Sequence, residues 1–529
     1  MSSPANLKAT ATGRLQALPD VQADRTEYGR QPLMHWRIRL TAGALTLALL
    51  SACASTQGLA PHERTTSGGD LAAETTLAQA RLTAGQWPAP DWWKRFGDPQ
   101  LDHLEQEALA GNPTLRMAQA RIAKAQAAAG ITGSVLSPQL DARAQGTRQR
   151  YSEHDAVPPP LAGSWRTQSR VALDFGYEFD FWGKNRTAFA AATSRVQAAT
   201  VDAFAARLLL SVTVASDYVQ LARACDQLDV ARATLSERQK IYNLTRERVA
   251  AGLGAQVELK QAEAALPAIR EEIVALDESA ALTRSQLAAL LGAGPDRGLA
   301  ITRPQLAQET NEVVLPSRLP ADLLGRRPDV VASRWRVEAA AGDTAVARAR
   351  FYPDVDLLAF IGFQSLGLDH FLQFGSGVAG IGPALHLPIF DGGRLRAELA
   401  GADADYDLAV DHYNETLVQA LRDIGEQITA TRSISEQSHL QQQALAAASD
   451  AYRLALQRYR DGVDGYLSVL SAEGQMLAQR RIGVDLHARA VAIRIGLIRA
   501  LGGGFAESPG PRDARAGGPP PANRDGEMS

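Results

Sequence analysis

Two cysteines in 529 residues, Cys53 and Cys225, cannot staple a chain of this length, so the fold does not rest on a disulfide framework. Positive charge is not in excess either: 55 Lys and Arg against 58 Asp and Glu leave a net charge of −3, which excludes the polycationic surface of a nucleic-acid binder. The nine histidines have no zinc-ligand spacing, no glycine loop is built to cradle phosphate, and no Ser-His-Asp order falls on convincing elements. The chain is therefore not expected to be an enzyme, and no metal or cofactor is implied. The apolar run Leu40 to Leu50 is eleven residues, well short of the ~20 that a membrane-spanning helix needs.

That short run suits an export signal. Arg37 and Arg39 precede it, Met34 lies just ahead as a possible true start, and residues 1–33 read as a mis-called extension. Leu50-Ser51-Ala52-Cys53 resembles a bacterial lipobox, which makes Cys53 the expected acylation site and new N-terminus. Ala54 follows it rather than an aspartate, which points to the outer membrane. Cys225 is then left alone; the apolar series Tyr218, Leu221, Cys225, Leu228 has helix-face spacing and makes it a small core residue.

The dominant feature is an internal repeat. The stretch from Asn112 can be laid over that from Arg327, pairing Pro113 with Pro328, Pro138 with Pro353 and Asp141 with Asp356. "FWGKNRTA" from Phe181 matches "FDGGRLRA" from Phe390, and Gly252 with Leu291-Gly292 matches Gly462 with Leu501-Gly502. One unit of roughly 210 residues is duplicated. Each copy reads as a short helix (Pro113–Ser134, Pro328–Ala349), two strands, a 68-residue helix (Lys184–Ala251, Arg394–Asp461) and a returning helix (Ala255–Leu291, Gly465–Leu501). At 1.5 Å per residue the long helices reach roughly 100 Å, and a returning helix stacked on a short one roughly 90 Å. Apolar seams, Ala192 to Tyr218 and Leu395 to Tyr413, repeat at spacings of three and four. Pro267 is expected to bend its helix.

The strands are of another kind. "RVALDFGYEFDF" sets Val171, Leu173, Phe175, Tyr177 and Phe179 against a face with Asp174, Glu178 and Asp180. One face suits oil and the other water, a better account of these carboxylates than an acid/base pair of a glycosidase. "DVDLLAFIGFQS" from Asp354, "GIGPALHLPIF" from Gly380 and "QLDARAQGTRQR" from Gln139 are weaker versions. Four strands cannot close a barrel in lipid without leaving unpaired backbone groups, so two, three or four copies must complete it.

From "WWKRFGDPQLDHLEQEALAGNPTLRMAQARI" through "YEFDFWGKNR", "RRPDVVASRWRVEAA", "LPIFDGGRLRA" and "YRDGVDGYLSVL" to "LGGGF", about Trp87 to Phe505, the chain resembles the outer membrane factor family. These are the TolC-like and NodT-type lipoproteins of RND-type tripartite efflux systems. The resemblance implies a mainly α fold with a small β part: a homotrimer whose twelve-stranded outer-membrane barrel continues into a periplasmic α-helical barrel. It implies a passive exit duct for small molecules such as drugs, partnered by a periplasmic adaptor protein, an inner-membrane pump and outer-membrane lipid. A coiled-coil spacer without a pore would explain the seams but not the strands, and the exit duct of a secretion system is the other alternative.

The resemblance also places function at the helix-hairpin tips. Val249, Gly252, Leu253 and their repeat mates near Asp461, Gly462 and Val463 are expected to meet the adaptor. Arg458, Tyr459, Asp464, Ser468 and Ser471 are candidates for a gate at the closed end. Ser471 departs from relatives that place an aspartate there, so a threefold carboxylate ring is not expected at that level. Glu473 lies about 200° around the helix from Ser471 and is not expected to point inward. The organisation read from the sequence is thus signal 34–52, lipidated segment 53–91, first repeat 92–294, equatorial segment 295–327, second repeat 328–505 and a disordered tail 506–529.

Overall fold

The computed structural model describes residues 56, 58–66, 71, 87–307 and 325–507. The export signal with Cys53, residues 308–324 of the equatorial segment and the tail beyond 507 lie outside the described residues. After a short 3-10 turn at Trp92–Phe96 come α1 (Pro99–Gly111), α2 (Pro113–Ser134), β1 (Gln139–Arg150), β2 (Trp165–Glu178), α3 (Lys184–Ala250) and α4 (Gln256–Leu290). The second repeat supplies α5 (Pro328–Ala349), β3 (Asp354–Leu366), β4 (Gly377–His386), α6 (Arg394–Arg460) and α7 (Tyr466–Ala500).

The short helices match the sequence reading, the long ones are 67 residues each and the returning ones 35, the differences falling on cap residues. The helix α4 runs through Pro267 without a break. In both repeats a glycine lets a returning helix end against the start of a short one. A Cβ on Gly292 would lie 2.6 Å from the carbonyl oxygen of Gly111, and one on Gly502 would lie 2.0 Å from that of Arg326. The same joint is tied by a side chain from the residue before each short helix: Asn112 Nδ2 donates to the Leu290 carbonyl at 2.8 Å, and Arg327 Nη1 donates to the Ala500 carbonyl at 3.3 Å. Stacking α4 on α2 and α7 on α5 therefore makes two composite columns nearly as tall as the long helices.

These columns form a wall in the order α2 with α4, then α3, then α5 with α7, then α6. Because α3 has neighbours on both sides, Ala198 and Val201 are buried as well as Ala192 and Leu210, which a single seam does not anticipate. Tyr218, Leu221, Cys225 and Leu228 are all buried, the first three in the main core with Trp92, Leu101 and Leu104. The two outer columns keep large apolar side chains exposed in the single chain: Met117, Ile131, Val274 and Leu282 on one, Leu408, Val418, Leu440 and Leu454 on the other. Before the first helix, the backbone N–H groups of His62 and Glu63 donate to Asp407 on α6 at 3.0 Å, and that of Thr66 donates to Asn414 at 2.8 Å.

The four strands form one antiparallel sheet in the order β1-β2-β3-β4, so β1 and β4 each have an unpaired edge. Register makes the two faces consistent across the sheet. Rungs such as Ala142–Leu173–Ile361–Ala379 and Leu140–Phe175–Ala359–Ile381 are apolar throughout, whereas the alternate rungs hold Asp141, Arg143, Arg170, Asp174, Glu178 and Asp356. On that polar face Arg170 pairs with Asp174 at 2.7 Å and lies 5.7 Å from the Phe360 ring. From Val171 to Phe179 the apolar face covers roughly 26 Å of strand, suited to a bilayer core. One expectation is corrected. The strand β2 ends at Glu178, and Asp180 turns away to accept the backbone N–H of Arg186 at 2.8 Å and that of Asn185 at 3.2 Å, capping α3. Two carboxylates of β2, not three, line the polar face.

Candidate functional site

Both hairpin tips are built by the same backbone device. Gly252 and Gly462 have φ of +74° and +75°, a left-handed conformation that L side chains rarely adopt. The N–H of Leu253 bonds back to the Arg248 carbonyl at 2.8 Å, and that of Val463 bonds to the Arg458 carbonyl at 2.9 Å, closing a Schellman turn after each long helix. Leu253 and Val463 stand exposed at the tips, with Val257 and Leu467 exposed one turn on. Val249, the repeat mate of Tyr459, is half-buried, while Asp461 is exposed.

Side chains make the two tips different. Tyr459 is 1% exposed, in a cluster with Ile241, Ala262, Tyr466 and Val469. Its hydroxyl lies 2.9 Å from Thr245 Oγ1 on the other long helix. Thr245 gives its own hydroxyl hydrogen to the Ile241 carbonyl at 2.9 Å, so Tyr459 is the donor in this bond. Arg248 crosses from the first tip as well: Nη1 donates to the Tyr459 carbonyl at 2.9 Å, and the guanidinium lies 4.8 Å from the Tyr459 ring centroid. Glu258 joins the tips a third time, accepting from its own Ala255 N–H at 3.3 Å and from Tyr466 N–H at 3.2 Å.

Asp464, Ser468 and Arg458 form a smaller set on the second tip. Asp464 accepts from the Gly465 N–H at 2.8 Å and the Ser468 hydroxyl at 2.9 Å, and Arg458 lies 3.5 Å from its second oxygen. The Ser468 hydroxyl, with the Gly465 N–H and Arg458, holds the Asp464 carboxyl below the usual range. Ser471 is exposed and stands apart from this set. Two turns into the wall, Glu473 is 1% exposed and paired with Arg238 at 3.2 Å, so it does not face the lumen. Burial pushes its carboxyl up, opposed by the Arg238 guanidinium.

Tyr459 lies in the buried cluster at the tip, and Thr245, Arg248, Glu258 and Arg238, which the sequence reading did not name, make the contacts between the hairpins. Arg248 had one visible clue, its alignment with Arg458 at the repeat shift. Glu258 had the same kind of clue through Ser468, whereas Thr245 had none, because its mate is Ala455.

The profile of the outer membrane efflux protein family matches residues 104–293 and 319–503, one block for each repeat. The chain belongs to this family. It is 41% identical over 373 residues to the fusaric acid resistance protein FusA of Burkholderia cepacia, covering 69% of this chain and 70% of that one. It is 33% identical to the multidrug resistance outer membrane protein MdtP of Escherichia coli K12, covering 81% and 89% of the two chains. Among solved structures, the outer membrane protein VceC of Vibrio cholerae superposes with a TM-score of 0.73 at 42% identity, over 79% of this chain and all of that one. The outer-membrane channel OprN gives a TM-score of 0.77 at 27% identity, over 85% and 99%. The protein is therefore an outer-membrane efflux channel, and its open strand edges and open helix flanks are those of a trimer. Three copies give twelve strands in the membrane and a helical tunnel in the periplasm.

Proposed function

We propose that this channel is a passive exit duct whose periplasmic end is closed by the tip clasp of Tyr459, Thr245 and Arg248. The carrying observation is that a buried tyrosine, standing where the first repeat has Val249, receives both an arginine and a threonine from the neighbouring hairpin. Opening the end requires the second hairpin to swing away from the first, which breaks these bonds. Arg458, Asp464 and Ser468 stiffen the second turn and act with the clasp; Ser471 leaves the aperture without a carboxylate ring.

The exposed apolar residues at the tips, Leu253 and Val463 beside Val249, Gly252, Asp461 and Gly462, are the surface for a periplasmic adaptor. An inner-membrane pump supplies energy and selects cargo, since no nucleotide-binding motif is present and the chain is not an enzyme. Relatives named for multidrug and fusaric acid resistance and for pyoverdine export support a cargo of small organic molecules. Cys53 carries the lipid anchor. Its proposed tether is supported by the contacts of residues 62–66 with Asp407 and Asn414, which run along α6 away from the strands. The units 92–294 and 328–505 act as duplicated halves of each protomer, joined by 295–327.

The test is conductance of purified trimers in a planar bilayer without nucleotide. A small, steady conductance is expected. Absence of any conductance from intact trimers, even after the tip substitutions below, would leave a spacer rather than a duct.

A further inference from the structure

The outward face of the sheet carries two charges among its strand residues, and both are arginines at the same end. By register, Arg148 and Arg150 share a face with Ala142 and Ala144, while every strand carboxylate lies on the opposite face. The strand ends joined to helices are periplasmic, so both arginines sit at the cell-surface end of β1. They lie four and six residues beyond Ala144, which pairs with Val171 in the last apolar rung. At ~3.3 Å per residue and a ~40° tilt this is about 10 and 15 Å above the hydrocarbon edge, from which long arginine stems can fold back to the interface.

Their cross-strand neighbours complete the patch. Arg148 is opposite Thr167 and Arg150 is opposite Trp165, which is 61% exposed. Arg150 is held by Glu153 at 2.7 Å, and Arg148 has no carboxylate partner among the described residues.

We infer that Arg148 and Arg150, with Thr167 and Trp165, bind the phosphorylated sugar headgroup of an outer-leaflet glycolipid. Guanidinium forks match phosphate oxygens bidentately, the threonine hydroxyl adds a further donor, and the indole lies against sugar. The outer leaflet of a bacterial outer membrane presents phosphate at this height. The lack of any outward carboxylate on the strands removes repulsion that would otherwise oppose such a ligand.

The experiment titrates full-length trimers in detergent with diphosphorylated lipid A, its dephosphorylated form and phosphatidylglycerol, with occupancy read by native mass spectrometry. The wild type is expected to prefer the diphosphorylated glycolipid by at least about tenfold, on the order of what one charge-assisted hydrogen bond confers. Arg148→Gln/Arg150→Gln is expected to abolish the preference, Arg148→Gln alone to reduce it, and Arg143→Gln, on the polar inner face, to leave it intact. Equal binding of the dephosphorylated form, equal binding of phosphatidylglycerol, or an unchanged preference in the single and double variants would overturn the assignment.

Discussion

The first and second hairpins have the same backbone and different chemistry. Both run 67 residues out and 35 back around a glycine near φ +75°. Yet Arg248 reaches across to the other hairpin while its mate Arg458 stays with its own turn at Asp464, and Tyr459 is buried where the first repeat has Val249. Helix α1 docks on α3. Duplication therefore supplied two interchangeable rods, and later side-chain divergence made one of them hold the other.

The largest effect is expected where the hairpins share a buried ion pair. Arg238→Ala leaves Glu473 charged and unpaired inside the wall, at a cost of about 3–5 kcal/mol; the thermal midpoint of the trimer should fall clearly. An unchanged midpoint would mean that the second hairpin stands without the first. The docking of α1 gives a pH test within the first repeat. Glu105 on α1 is fully buried near the Ser211 hydroxyl, and burial pushes its carboxyl up to about 8. A raised carboxyl pKa favours the native state fully below the ordinary value near 4.5, and that contribution is lost as pH rises through about 8. Between pH 5.5 and 8.5 the loss is on the order of 3 kcal/mol, and Glu105→Gln should flatten the dependence of the melting midpoint on pH.

A sharper comparison uses the matched arginines. Arg248→Ala removes a hydrogen bond to the Tyr459 carbonyl and a ring contact, about 1.5–3 kcal/mol. Arg458→Ala removes only an exposed ion pair, which contributes little. Hydrogen exchange at the tips should rise more for the first, and equal effects would erase the distinction between the hairpins.

The rods were legible because proline and glycine punctuate them at the same places in both repeats: Pro113 and Pro328 at the starts, Gly252 and Gly462 at the turns. The strand faces were only partly legible. Along the membrane part of β1 the outward residues are Leu140, Ala142, Ala144 and Gly146, mostly too small to alternate visibly, and their role emerges only from pairing with Phe175, Leu173 and Val171. Asp180 was misread because alternation alone does not show where a strand stops and a helix cap begins. At the tip, Tyr459 could be singled out, but Thr245 and Arg248 lie 214 and 211 residues away, and no local pattern joins them. The assignment of Cys53 rests on the sequence motif and lies outside the described residues.

The clasp is tested most directly by the single-channel conductance of Tyr459→Ala trimers beside the wild type in the same bilayer. Losing the Thr245 bond costs about 0.5–1.5 kcal/mol in each protomer, three times per channel, and the arginine loses its ring. Conductance several-fold above the wild type, with trimers intact, is the result expected of a closed end held by this residue. Conductance equal to the wild type would make Tyr459 an ordinary packing residue and remove the clasp from the gate.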